Sequence, residues 1–266
     1  MCIQKITKEI YIQGLRLINA RKNRITYLNK TCGLLPNKKD YRDFVGTSSI
    51  DDSEEIYYKV PNIEKYSKSQ GILQSCGSHA LLTLAEMKHD IAKDRFSGIQ
   101  FSELFHWWWV RQEEYMNNFP KNAGQTLREG CKVMFEIGIT PETLMPYDVI
   151  NFNDKPKFAA QGFADFFKIK GYYFLSSNED IFTACPVVVG IKVYSDFMYL
   201  TKGQKLTKPS GAYHGGHAVV IAGFDKVLKE WLIVNSWGDT WGDNNTTWMP
   251  DEYLEKVLFD IAAIEL

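Results

Sequence analysis

One cysteine in this sequence lies where a thiol can become a nucleophile. Cys76 stands at the start of a predicted helix, and the positive end of a helix dipole favours a thiolate. A thiolate nucleophile also needs a base and a donor for the developing oxyanion. The other cysteines are widely scattered and predict neither a disulfide framework nor a zinc site; they are Cys2, Cys32, Cys131 and Cys185.

Three further segments carry residues of the required types in a recognisable order. Residues 70–76 read QGILQSC, residues 217–219 read HAV, and residues 235–242 read NSWGDTWG. A fourth stretch has Gly138-Ile139, Glu142 and Pro146-Tyr147. Together these segments resemble the blocks of the papain family (C1-type cysteine peptidases), with short bacterial-type members closest in pattern.

The position of the nucleophile depends on the register of this resemblance. The family signature Cys-Gly-Ser-Cys-Trp has its second cysteine as nucleophile, whereas residues 76–80 read CGSHA, so a local match would place His79 there. The family's oxyanion glutamine lies six residues before the nucleophile. Counting back six from His79 gives Leu73, but counting back six from Cys76 gives Gln70. Only the second register keeps both functional groups, so Cys76 is the predicted nucleophile.

The resemblance implies a role for each matching residue. His217 would take the proton of Cys76 and later return it to the leaving amine. Asn235 would orient the imidazole, and Trp237 would shield that hydrogen bond and line the substrate site. The side-chain amide of Gln70 and the backbone N–H of Cys76 would form the oxyanion hole. No metal or other cofactor is expected.

Several positions depart from the family pattern or compete with it. His214 is a second candidate base, but only His217 opens an apolar strand and matches HAV. Gly77 replaces the usual tryptophan after the nucleophile, and Gly216 replaces the usual Asp or Asn before the base. Gly124 resembles the glycine that pairs with the substrate backbone. The remaining histidines are predicted to lie in the core or on helix surfaces; they are His79, His89 and His106.

The elements that must position these residues change in type along the chain. Apolar periodicity predicts helices over 75–94, 101–116 and 126–137, the last ending at Gly138. Runs rich in Val, Ile and aromatic residues predict antiparallel strands over 166–175, 186–194, 217–224 and 231–235. Helices followed by strands indicate an α+β fold. The resemblance implies a two-lobe papain-like fold, with a helical lobe (59–160), a β-barrel-like lobe (161–266) and the active site between them.

The first 58 residues read as a basic extension. Residues 1–39 contain nine Lys or Arg and one acid, Glu9, and the sign of the charge reverses from Asp40. Residues 33–36 (GLLP) and 40–43 (DYRD) resemble the lead-in of bacterial family members. We expect either a short removable propeptide or a permanent arm that docks on the cleft or on a partner protein.

Composition narrows the range of partners. Thirty-one basic and thirty-two acidic residues give a net charge of −1, so nucleic acid is not expected as a partner. No run of apolar residues is long enough to span a bilayer, and basic residues interrupt any signal-peptide core. The expected location is therefore cytoplasmic or otherwise intracellular, with no membrane association.

Three functions fit these residues. The first is hydrolysis of protein or peptide substrates as an endopeptidase, through a thiolate acyl-enzyme. The second is a catalytically silent papain-like module in a larger assembly, because a fold can persist after its activity is lost. The third uses the same chemistry but transfers the acyl group to an amine or a thiol instead of water.

Overall fold

The computed structural model describes residues 30–38 and 57–266. Residues 30–38 are called the arm segment below; residues 40–43 lie outside the described residues. Seven α-helices occur in the described part: α1 Cys76–Ala92, α2 Glu103–Val110, α3 Leu127–Glu136, α4 Phe158–Ala164, α5 Glu179–Ala184, α6 Ser195–Met198 and α7 Asp251–Val257. Seven strands occur there: β1 Tyr57–Lys59, β2 Gly171–Phe174, β3 Val187–Tyr194, β4 Tyr213–Asp225, β5 Glu230–Val234, β6 Thr246–Pro250 and β7 Leu258–Glu265.

All the strands join one antiparallel sheet. The order is β2-β7-β3-β4-β5-β6, and β1 pairs with the far end of β4. Long β4 is the central strand of the lobe, pairing with β3 on one side and with β5 on the other. Helices α1–α4 lie between β1 and β2 in the chain, and the strands from β2 onward supply most of the antiparallel sheet, which confirms the predicted α+β class.

Helix α1 is the central helix of the molecule. Its Ala- and Leu-rich sequence favours helix, and thirteen of its residues are buried, from Cys76 to Asp90. One face packs with β4 in a core cluster that also contains Ala218 and Val220. Because the helix is enclosed on most sides, the position of its first residue is fixed by packing from several elements.

Two predicted elements have different bounds in the structure. The helix predicted over 101–116 ends at Val110, since the buried Arg111 side chain binds the loop carbonyls of Lys121 and Phe152. The strand predicted over 166–175 begins only at Gly171, because residues 165–167 form a 3₁₀ turn after α4.

The strand predicted from residue 217 starts earlier, at Tyr213. The backbone of the Gly215-Gly216 pair forms ladder contacts with β3, so the strand extends to the N-terminal side of His217. In the described ranges, no helix is both long enough and apolar enough to cross a membrane.

Candidate active site

His217 and Asn235 form a buried hydrogen-bonded pair. His217 lies on β4 and Asn235 directly follows β5, the neighbouring strand, so the sheet brings the two side chains together. His217 Nε2 lies 2.7 Å from Asn235 Oδ1. Since an amide oxygen can only accept, Nε2 carries the proton and Nδ1 is left as an acceptor. Nδ1 is buried and has no hydrogen-bond partner among residues 30–38 and 57–266.

The thiol of Cys76 is fully buried at the first residue of α1. Burial raises the pKa of the Cys76 thiol, because the charged thiolate loses its hydration. Backbone N–H groups of Ala218, Gly33 and Gly77 lie against the sulfur and lower its pKa in part. Ala218 follows His217 in the chain, so the thiol lies beside the strand that carries the imidazole.

Burial also sets the protonation of His217. Loss of hydration lowers the pKa of the imidazole to about 4, although the hydrogen bond to Asn235 acts in the opposite direction. The structure thus holds a neutral imidazole whose Nδ1 can accept a proton.

Gln70 is fully buried, and both ends of its side-chain amide are hydrogen-bonded. Its Oε1 accepts a hydrogen bond from Ser236 Oγ at 2.6 Å, and this contact directs the amide nitrogen away from Ser236. Nε2 donates to Leu73 O at 2.8 Å and to the hydroxyl of Thr31 at 3.0 Å. The donor expected to stabilise an oxyanion is therefore engaged by the arm segment.

Trp237 covers the imidazole. Its ring stacks on His217 with a centroid separation of 4.3 Å and an interplanar angle of 25°. Its Nε1 donates to the backbone carbonyl of Thr31 at 3.2 Å. Trp237 therefore contacts both the imidazole and the chain segment that lies in the cleft.

The arm segment continues past the thiol between the two lobes. Gly33 O accepts from Gln125 N at 2.9 Å, and Leu35 N donates to Gln125 O at 2.8 Å. On the opposite side, Leu34 N donates to Gly216 O at 2.9 Å. The Leu34 side chain is buried and approaches Gly190.

Gly124 allows this close approach. A Cβ atom there would lie 1.8 Å from Gly33 O, so no other residue fits beside the arm segment. The paired hydrogen bonds are made by the backbone of Gln125, the next residue.

Comparison with known proteins identifies this arrangement. The sequence profile of the papain family cysteine proteases matches residues 65–255. The chain belongs to the papain family. An uncharacterized peptidase C1-like protein of Acanthamoeba polyphaga mimivirus is 28% identical over 202 residues, which cover 70% of this chain and 64% of that protein. The chain thus matches less than two thirds of that relative's length.

Solved structures of papain-family proteins have the same fold. Xylellain, a cysteine protease from Xylella fastidiosa, has a TM-score of 0.76 at 24% identity, covering 92% of this chain and 98% of its own. A procathepsin B from Trypanosoma congolense has a TM-score of 0.70 at 15% identity, covering 89% of this chain and 87% of its own.

The other histidines have separate partners in this papain-family fold. His214 Nε2 lies 3.0 Å from Ser195 Oγ, on the part of β4 that precedes the Gly-Gly pair. His79 is buried in α1, with Nδ1 3.1 Å from Ser75 O and its ring against Tyr147. His106 is fully buried in α2, as predicted for a core histidine.

Gln125 is a site residue that sequence reasoning missed. Besides its backbone bonds to the arm segment, its side chain lies across Gly77, where a Cβ atom would be 2.8 Å from Gln125 Cδ. Gln125 Oε1 is also 2.7 Å from Ser78 Oγ. The glycine that replaces the family tryptophan thus makes room for Gln125. Its position directly after Gly124 was the available signal.

Proposed function

We propose that this protein is a cysteine endopeptidase acting on protein or peptide substrates, with Cys76, His217, Asn235 and Gln70 as its catalytic set. The observation that carries the proposal is the 2.7 Å contact between His217 Nε2 and Asn235 Oδ1, which leaves Nδ1 unprotonated on the strand beside the Cys76 thiol. The proposed lobes are 59–160, with the nucleophile, and 161–266, with the base.

The proposed reaction begins with transfer of the Cys76 proton to His217 Nδ1. The thiolate attacks the peptide carbonyl carbon, forming an S–C bond, while the negative oxygen accepts hydrogen bonds from Gln70 Nε2 and the Cys76 N–H. Collapse breaks the C–N bond, and the amine leaves with the proton from His217. Water, deprotonated by His217, then hydrolyses the thioester and regenerates the thiol.

Asn235 and Trp237 would support this sequence without exchanging protons. The Asn235 oxygen accepts from Nε2–H, which favours the imidazolium formed in the first step. The Trp237 ring, stacked on the imidazole, excludes water from that hydrogen bond.

We further propose that the arm segment occupies its own cleft and blocks it. Its backbone uses Gly216 O and both backbone polar groups of Gln125, and its Thr31 hydroxyl takes the Gln70 amide. Gly33 O accepts a hydrogen bond from Gln125 N, and the N–H of Gly33 lies against the Cys76 thiol. The arm segment thus presents the Gly33 N–H to the thiol, and not the Gly33 carbonyl carbon. This geometry favours an arm segment that inhibits the enzyme. It argues against an arm segment that is positioned for cleavage at Gly33.

Labelling of the full chain with an epoxysuccinyl probe under reducing conditions tests the peptidase proposal. We expect one adduct on Cys76 by peptide mass spectrometry and hydrolysis of an unstructured protein substrate, both slow because they depend on transient release of the arm segment. Both should be lost in Cys76→Ala and retained in Cys131→Ala, which removes another fully buried thiol.

A cleft that is active but blocked by the arm segment must be distinguished from a cleft that has no catalytic activity. The same labelling is therefore repeated on Leu34→Asp, which places a charge at a buried arm position and should release the arm. Absence of a Cys76 adduct in this variant as well would favour the silent-module alternative and exclude the peptidase.

A further inference from the structure

Asn245 stands at a junction of the active-site loops and has no role in the reaction proposed above. It is fully buried, follows the NSWGDTWG segment and has a left-handed backbone, with φ of 68°. Asparagine tolerates this conformation better than most residues do, but glycine would tolerate it at least as well. The conformation alone does not explain why this position carries a side chain.

The Asn245 side chain uses both of its N–H donors and its oxygen in hydrogen bonds to backbone groups. Its Oδ1 accepts from Trp237 N at 3.0 Å. Its Nδ2 donates to Asn235 O at 2.6 Å and to Lys68 O at 2.9 Å. An amide has two N–H donors and an acceptor oxygen, so a carboxylate of the same shape could make only the first of these bonds.

These bonds hold the residues that contact the imidazole. Asn235 is bound on both sides, because its N–H donates to Asn245 O at 2.9 Å while its carbonyl accepts from Asn245 Nδ2. The Asn235 side chain is hydrogen-bonded to the His217 imidazole, and the Trp237 ring stacks on the same imidazole. A shift of Asn245 would therefore move both contacts of the base together.

The bond to Lys68 extends the junction to the other lobe. Lys68 is fixed by two buried ion pairs, with Nζ 2.8 Å from Glu86 Oε1 and 2.6 Å from Glu103 Oε1. Two residues later, Gln70 N donates to Ser236 O at 2.8 Å. The segment that carries the oxyanion donor is thus joined to the loop that carries Asn235.

We propose that Asn245 is a positioning residue, which fixes the Asn235–His217 pair and holds it in register with Gln70. The inference rests on the proposed cysteine-peptidase function of these residues. Asn245 would contact neither the substrate nor the thiol and would act only through the loop 235–237 and the Lys68 carbonyl.

The test compares Asn245→Gly with Asn244→Gly in the full chain. Glycine keeps the positive φ at both positions, 68° and 54°, and only the Asn245 change removes the bonds to residues 68, 235 and 237. The rate of iodoacetamide alkylation at Cys76 is measured by peptide mass spectrometry from pH 4 to 10, below the melting temperature of each variant.

We expect about 10-fold slower alkylation in Asn245→Gly near neutral pH, because a small displacement of reacting groups is costly. The alkaline limb of its pH profile should move to lower pH, since a misaligned Asn235 stabilises the imidazolium less. Asn244→Gly should match the wild type. Asn245→Asp, which keeps the size and the acceptor but loses both donors, should change in the same direction as Asn245→Gly.

A purely structural role would lower the melting temperature without moving the pH profile, and that result would overturn the proposal. NMR of the His217 Nε2–H proton gives a readout that needs no reactivity. We expect a slowly exchanging signal in the wild type and its loss in Asn245→Gly. Retention of this signal overturns the positioning role, whereas an unreactive wild type that shows the expected NMR change refutes only the peptidase function.

Discussion

At the scale of single residues, burial keeps the thiol and the imidazole uncharged while the arm segment is in place. Burial raises the pKa of Cys76 and lowers that of His217, so both shifts oppose transfer of the proton from sulfur to nitrogen. Proton transfer would create two charges in a fully buried site. Departure of the arm would restore hydration and favour the ion pair that the reaction needs.

Substitution of Gly77 tests whether helix propensity or side-chain packing decides the stability at this position. Alanine at a helical glycine usually adds about 0.5–1 kcal/mol of stability. At Gly77, however, the new Cβ would meet the buried Gln125 side chain at 2.8 Å, and overpacking costs about 1–3 kcal/mol. We expect Gly77→Ala to lower the free energy of unfolding by about 1 kcal/mol in urea titrations.

Gly162 in α4 is the matched control for this exchange. No atom lies within 4 Å of the position its Cβ would take. Gly162→Ala should therefore stabilise the protein by about 0.5–1 kcal/mol. Equal effects at the two glycines would contradict the packing argument.

His106 gives a pH dependence of stability. Burial lowers the pKa of this histidine to about 4, from an ordinary 6.5. As the pH falls, His106 is protonated in the unfolded chain before it is protonated in the folded one. The stabilisation from the neutral, buried imidazole is therefore complete above pH 6.5 and is lost as the pH falls towards 4. The free energy of unfolding falls by about 3 kcal/mol at most through this effect. Urea unfolding at several pH values should show a shallower decline in His106→Gln, and an unchanged decline would refute this assignment.

At the scale of elements, α2 holds the loop beside the cleft. Trp107 Nε1 donates to Ala123 O at 3.1 Å, directly before Gly124. The Arg111 guanidinium stacks on the Trp107 ring at 3.9 Å and donates to Lys121 O at 3.0 Å. Two side chains one helical turn apart thus fix the loop that leads to Gln125.

Exchange of Trp107 tests this support. Trp107→Phe removes the N–H to Ala123 and should raise KM about 5-fold with little change in kcat, since one hydrogen bond contributes about 1 kcal/mol. Trp109→Phe is the control, because Trp109 Nε1 has no hydrogen-bond partner in the described residues. Peptide hydrolysis kinetics compare the two, and an equal rise in KM would argue against the loop anchor.

At the scale of the whole molecule, the arm segment joins both lobes across the active site. Thr31 contacts Gln70 of the helical lobe and Trp237 of the β-rich lobe. The Leu34 backbone is hydrogen-bonded to Gly216 of β4, and Gly33 and Leu35 are hydrogen-bonded to Gln125. Under the proposed peptidase function, access of substrate to the thiol would therefore require displacement of the arm from both lobes.

Adjacent leucines provide a matched pair for this step. Leu34 is 3% exposed and Leu35 is 46% exposed. We expect Leu34→Asp to increase the rate of Cys76 labelling at least 10-fold, because a buried unpaired carboxylate disfavours the docked arm. Leu35→Asp should label like the wild type. An equal rate in all three proteins would mean that the arm does not limit access.

The sequence by itself determined the family, the α+β class and the order of the candidate catalytic residues. These features are local or ordered along the chain: the QGILQSC, HAV and NSWGDTWG segments, and the change from helical to strand periodicity. Helix α1 and strand β3 lie close to their predicted bounds because one pattern of buried residues specifies each.

Only the tertiary structure decided how distant residues meet. Gln125 fits beside Cys76 because Gly77 leaves space, and no local pattern connects positions 48 residues apart. The end of α2 was mispredicted because Arg111 turns to carbonyls of a later loop. The Asn245 amide joins Asn235, Trp237 and Lys68, contacts that were not predicted from the sequence. Such contacts depend on how distant segments of the chain pack against each other, and the periodicity of the sequence does not encode this packing.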